Sequence, residues 1–71
     1  MTIELLKKVC LKIKGIDKVR VSKFRDGVFL YYKETFSEQT GRWYKFTDFI
    51  PLDSWRGSLD RTKIEYERFF I

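Results

Sequence analysis

Histidine is missing from this 71-residue sequence, cysteine and proline occur once each, and glycine occurs four times. Without imidazole the chain lacks the commonest general base and the commonest metal ligand. It also lacks the centre of Ser-His-Asp and Cys-His nucleophilic arrangements. The lone Cys10 cannot form an intramolecular disulfide, which suits a reducing cytoplasm. The few glycines form neither a G-x-x-x-x-G-K-[ST] phosphate loop nor a G-x-G-x-x-G fingerprint. Long apolar runs are missing too. Nothing approaches the ~20 residues needed to cross a bilayer, and Lys7, Lys8, Lys12 and Lys14 interrupt the N-terminus where a signal peptide would be apolar. These absences point to a cytoplasmic protein, with no membrane partner, that binds rather than catalyses and needs no cofactor and no metal.

Aromatic side chains are abundant: seven Phe, four Tyr and two Trp. They bury the most apolar area per residue, which matters in one small domain, residues 1–71, whose core must be thin. Charge is the second feature. The net charge is +5, and it is concentrated near the start. Residues 1–25 hold eight Lys or Arg against Glu4 and Asp17, whereas residues 26–71 are close to balanced. Such asymmetry marks either contact with an anionic partner or a solvated helix face.

Thr2 to Lys14 reads as a helix. Ile3, Leu6, Val9, Cys10 and Ile13 fall on one stripe, with Thr2 as N-cap and Gly15 as terminator. Cys10 on that stripe reads as a buried structural thiol. Lys7, Lys8, Leu11 and Lys12 lie on the other face and could meet a partner. Lys18 to Arg25 and Val28 to Phe36 read as a β-hairpin across a two-residue Asp26-Gly27 turn. Arg42 to Phe49 reads as a third strand, bounded by Pro51. For the C-terminal segment Ser58 or Asp60 could cap a helix, but Ile64 and Ile71 would then lie opposite Leu59, Tyr66 and Phe70, so between helix and strand a fourth strand is favoured. The expected fold class is α+β: an N-terminal helix packed on a three- or four-stranded antiparallel sheet.

A two-residue turn pairs Arg25 with Val28 and Phe24 with Phe29. One face then collects Val19, Val21, Val28, Leu30, Tyr32 and Phe36 for the helix to cover. The other collects Arg20, Ser22, Phe24, Phe29, Tyr31 and Lys33, to which the third strand adds Trp43, Lys45, Thr47 and Phe49. Rings interleaved with cations suit nucleic acid, since bases stack on rings and cations track phosphates. Arg20, Phe29, Tyr31, Lys33, Trp43 and Lys45 are the candidate nucleic-acid contacts. The competing expectation is a second core layer, with this face sealed by Trp55, Phe69 and Phe70.

Two further patterns carry chemistry. On a strand, Glu65 and Glu67 would share a face near Asp53 and Asp60, a set able to hold Mg²⁺, although such charges usually clothe a solvent-facing edge. In Asp53-Ser54-Trp55-Arg56-Gly57-Ser58, Trp55 and Arg56 are residue types enriched at binding hot spots. They are equally suited to a structural turn in which Trp55 plugs the core.

The run Ser54-Trp55-Arg56-Gly57-Ser58 resembles a pattern in small bacteriophage-encoded proteins of unknown function. It covers about five residues, and Leu59-Asp60-Arg61 departs from the Tyr-plus-acidic continuation of that pattern. The resemblance implies a phage accessory protein in a host cytoplasm. By analogy with such proteins, it implies one that blocks a host enzyme or defence factor. Two functions follow as expectations. One is engagement of nucleic acid or a nucleotide through the sheet face and basic helix. The other is inhibition of a host protein through Trp43 or through Trp55 and Arg56. A small nucleotide held by Trp55, Arg56 and the tyrosines is a third. A homodimer fits the thin core and the exposed sheet edges.

Overall fold

The computed structural model describes residues 1–70, and the side chains of residues 1–68. Helix α1 spans Ile3–Leu11, with the Thr2 side chain accepting a hydrogen bond from the Leu5 amide at 3.2 Å. It stops one turn earlier than the apolar spacing predicts. Lys12 caps it, and Gly15 then reverses the chain at φ +89. A Cβ there would also stand 2.9 Å from the Tyr66 hydroxyl, so both backbone and space require glycine.

Strands β1 (Ile16–Val21), β2 (Gly27–Tyr32) and β5 (Thr47–Pro51) form an antiparallel sheet in the order β1-β2-β5. Strands β3 (Thr35–Ser37) and β4 (Arg42–Tyr44) form a separate two-stranded hairpin. The expected strands from Val28 to Phe36 and from Arg42 to Phe49 are therefore each broken in two. Gly41, at φ +69, donates its amide to the Ser37 carbonyl at 2.8 Å and closes the hairpin loop.

The β1–β2 connection differs from a two-residue turn. Val21 pairs with Val28, Arg20 with Phe29 and Val19 with Leu30, so a loop of residues 22–26 intervenes. Ser22 explains the preference. Its hydroxyl accepts from the Phe24 and Arg25 amides at 3.3 and 3.2 Å, and its own amide donates to the Gly27 carbonyl at 3.1 Å. A serine-capped turn thus displaces the Asp26-Gly27 turn. The slip is an even number of residues, so every side chain in the paired region stays on its expected face.

After β5 a 3-10 turn, Leu52–Ser54, leads into helix α2, Trp55–Phe70. This corrects the expected fourth strand. The inward stripe of α2 is Trp55, Ser58, Leu59, Thr62 and Tyr66, a helical spacing in which Ser58 and Thr62 are small and polar. Thr62 is buried because its hydroxyl donates to the Asp48 carboxylate on β5, which also accepts the Phe49 amide at 2.8 Å. Ile64 stands 53% exposed on the outer side.

Both helices pack on one face of the three-stranded sheet. The core is Leu6 and Cys10 from α1, Val19, Val28, Leu30, Tyr32 and Ile50 from the sheet, and Leu59 from α2. Tyr32 stacks on Tyr66 at 4.3 Å and meets the Phe46 ring edge-on at 5.3 Å. The class is α+β with helices on an antiparallel sheet, as the sequence implies. Among the described residues no helix is long and apolar enough to cross a membrane.

Candidate nucleic-acid interface

The sheet face turned away from the helices is built by strand alternation. Opposed residues in antiparallel strands share a face, so Arg20, Phe29 and Phe49 form one row across it, and Lys18, Tyr31 and Thr47 form the next. Phe29 and Phe49 meet at 4.9 Å with their planes tilted by 51°. The Arg20 guanidinium lies 5.0 Å from the Phe29 ring and 6.0 Å from the Tyr31 ring. The Lys18 ammonium is 5.0 Å from Tyr31, and the Arg25 guanidinium, from the loop, is 5.1 Å from Phe49.

The cations and their stems cover the rings, and Phe29, Tyr31 and Phe49 are half-buried without any helix over them. Each exposed cation–ring contact is worth about 0.5–1 kcal/mol, which a stacking base can match. None of Lys18, Arg20 and Arg25 is ion-paired among the described residues, so their charge remains available. Trp55 does not seal this face, because it packs against the core beneath the helices. Cover by Phe69 and Phe70 concerns side chains outside those described.

The other expected contacts lie elsewhere. Lys33 follows the end of β2, where its amide donates to the Gly15 carbonyl at 2.8 Å. Lys45 lies between β4 and β5. Trp43 belongs to the hairpin, opposite Phe36, with ring centroids 5.4 Å apart. Trp43 is 63% exposed and Phe36 46%. Phe36 therefore leaves the core-facing set in which alternation placed it, because the chain breaks at Lys33-Glu34 before β3 begins. Ser22 and Phe24 leave the platform for the β1–β2 loop. Lys18 and Arg25 join it, and Lys18 was legible from its parity with Arg20.

On α1, Lys7, Lys8, Leu11 and Lys12 are all exposed, whereas Leu6 and Cys10 face inward. Burial pushes the Cys10 thiol up to about 11 against the opposing pull of Lys63, so it carries no charge at neutral pH. The Ser54-to-Ser58 run forms the junction into α2. Trp55 is half-buried there, and exposed Arg56 lies 5.1 Å from its ring.

Glu65 and Glu67 no longer share a face, because residues two apart on a helix diverge. Glu65 lies 3.9 Å from Arg61 in an exposed i,i+4 pair. Among the described residues no group of three or more potential ligands is positioned around a metal ion. A cleft of about 370 Å³ does exist beside the stacked tyrosines, lined in part by Lys14, Tyr32, Thr35, Lys63, Tyr66 and Glu67. Trp55 and Arg56, expected in a nucleotide pocket, do not line it.

Comparison with protein-family models, curated proteins and solved structures gives no match.

Proposed function

We propose that this protein is a non-enzymatic binder of single-stranded nucleic acid, engaging it through the helix-free sheet face. The observation that carries this reading is the joint placement of Phe29, Tyr31 and Phe49 with Lys18, Arg20 and Arg25 on the sheet surface that neither helix covers. Spacing favours a single strand over a duplex. Phe29 and Tyr31 are two residues apart on one strand, about 7 Å along it, whereas neighbouring duplex bases rise about 3.4 Å. Adjacent bases can each rest on a ring only if they are unstacked from one another, which a single strand permits. Lys7, Lys8 and Lys12 of helix α1 lie on the other side of the sheet and contribute only long-range attraction, which salt screens.

Fluorescence anisotropy with labelled oligonucleotides tests the reading. Tyr31→Ala is expected to weaken single-strand binding about tenfold and duplex binding less. An absence of binding at micromolar protein and low salt would remove the proposal.

A second reading rests on the exposed Phe36–Trp43 pair, an aromatic patch of the kind that anchors protein partners. A phage-encoded inhibitor of a host protein would use such a patch. Pull-down from bacterial lysate before and after nuclease treatment separates the two: a protein partner that survives nuclease and is lost in Trp43→Ala favours the second.

A further inference from the structure

Phe24 is 99% exposed, at the crest of the loop of residues 22–26, with Lys23 and Arg25 on either side, both exposed. The hydrophobic effect gives a loop no reason to hold a phenyl ring wholly in water. The loop is also shaped rather than slack: Ser22 accepts from the Phe24 and Arg25 amides, and the Ser22 amide donates to the Gly27 carbonyl at 3.1 Å. It is continuous with the aromatic platform, because the Arg25 guanidinium reaches the Phe49 ring at 5.1 Å. Tyr31, Phe29 and the loop crest therefore follow one another along the line of β2.

We infer that the β1–β2 loop is a stacking finger: Phe24 receives the base of a single strand that runs off the Phe29 end of the platform, while Lys23 and Arg25 hold the flanking phosphates. This rests on the single-strand reading above. The chemistry required of the ligand is a polyanion carrying flat apolar faces at regular intervals. A lone phosphate lacks the faces, and an apolar surface lacks the charge. Reaching Phe24 as well as Phe29 and Tyr31 sets a footprint of about three or four nucleotides. A dinucleotide seated on the two platform rings would not touch the finger.

The test measures binding of labelled oligothymidylates of two, four and eight nucleotides to wild type, Phe24→Ala, Phe24→Leu and Tyr31→Ala. Because Phe24 makes no packing contribution, its variants retain the wild-type fold, which circular dichroism checks. Phe24→Ala and Phe24→Leu are both expected to lose about tenfold on the eight-mer. The loss is the same for both because leucine restores apolar bulk but not a ring face, and little or no loss is expected on the dimer, which does not reach the finger. Tyr31→Ala should weaken all three lengths. If Phe24→Ala binds the eight-mer like wild type while Tyr31→Ala does not, the finger is refuted and the platform stands. If Phe24→Leu alone restores affinity, the loop acts by apolar contact and the stacking role is refuted. If wild type binds no oligomer, both fall.

Discussion

At the scale of single residues, the core between helices and sheet contains two groups that resist ionisation. Burial pushes the Cys10 thiol up from 9.0 to about 11. Burial, more than the neighbouring Asp48 carboxylate, raises the Tyr32 hydroxyl to about 12 against the lowering influence of Thr62. In the unfolded chain both groups lose their protons earlier, so the folded state binds more protons in the interval between. Stability is therefore intact below about pH 9 and declines as pH rises towards about 12, first through Cys10 and then through Tyr32. Urea unfolding measured across that range should show the decline, and Cys10→Ala, although less stable at neutral pH, should show a shallower one. Equal slopes in the two proteins would refute the assignment to Cys10. The same protection should leave the native thiol unreactive towards a disulfide reagent until urea is added.

At the scale of elements, α2 separates what could be read in the sequence from what could not. Its inward stripe substitutes Ser58 and Thr62 for apolar residues, and Thr62 is tolerated only because the Asp48 carboxylate on a distant strand accepts a hydrogen bond from its hydroxyl. A periodicity count sees neither the partner nor the stripe, and the outward Ile64 pulls the count further off. Leu59→Ala should accordingly cost about 2–4 kcal/mol, and Ile64→Lys should change stability by less than about 0.5 kcal/mol, both measured by urea denaturation. The reverse order would mean that the helix is rotated. Helix α1 was legible because Thr2, Gly15 and the apolar stripe agree with one another, and only its final turn was overextended. The sheet face was legible because alternation survives an even slip of register. The breaks at Lys33-Glu34 and Lys45-Phe46, which put Trp43 on its own hairpin, depend on tertiary pairing that local propensity does not encode.

At the scale of the whole molecule, charge and shape act together. The principal extents are 39 × 20 × 20 Å and the radius of gyration is 12.5 Å, against about 11 Å for a compact chain of this length. An elongated body of this size presents a large surface for its core, and on it three cations border the ring platform. If those three each neutralise one phosphate, the logarithm of single-strand affinity should fall with the logarithm of salt at a slope of about −2. Raising salt from about 50 to about 200 mM would then weaken binding about 15-fold. A slope near zero would mean that apolar contact, not charge, drives association. Engagement of Lys23 on the β1–β2 loop as well would steepen it, and Lys23→Gln would return it to the shallower value. Because both helices are glued to the same side of the sheet, the buried core lies there, and the opposite side holds only ring–ring and cation–ring contacts, each cation–ring contact worth about 0.5–1 kcal/mol. Its rings and charges can be rewritten one at a time without unsettling the interior, so altered ligand preference is open to this chain by substitution alone, with no compensating repair.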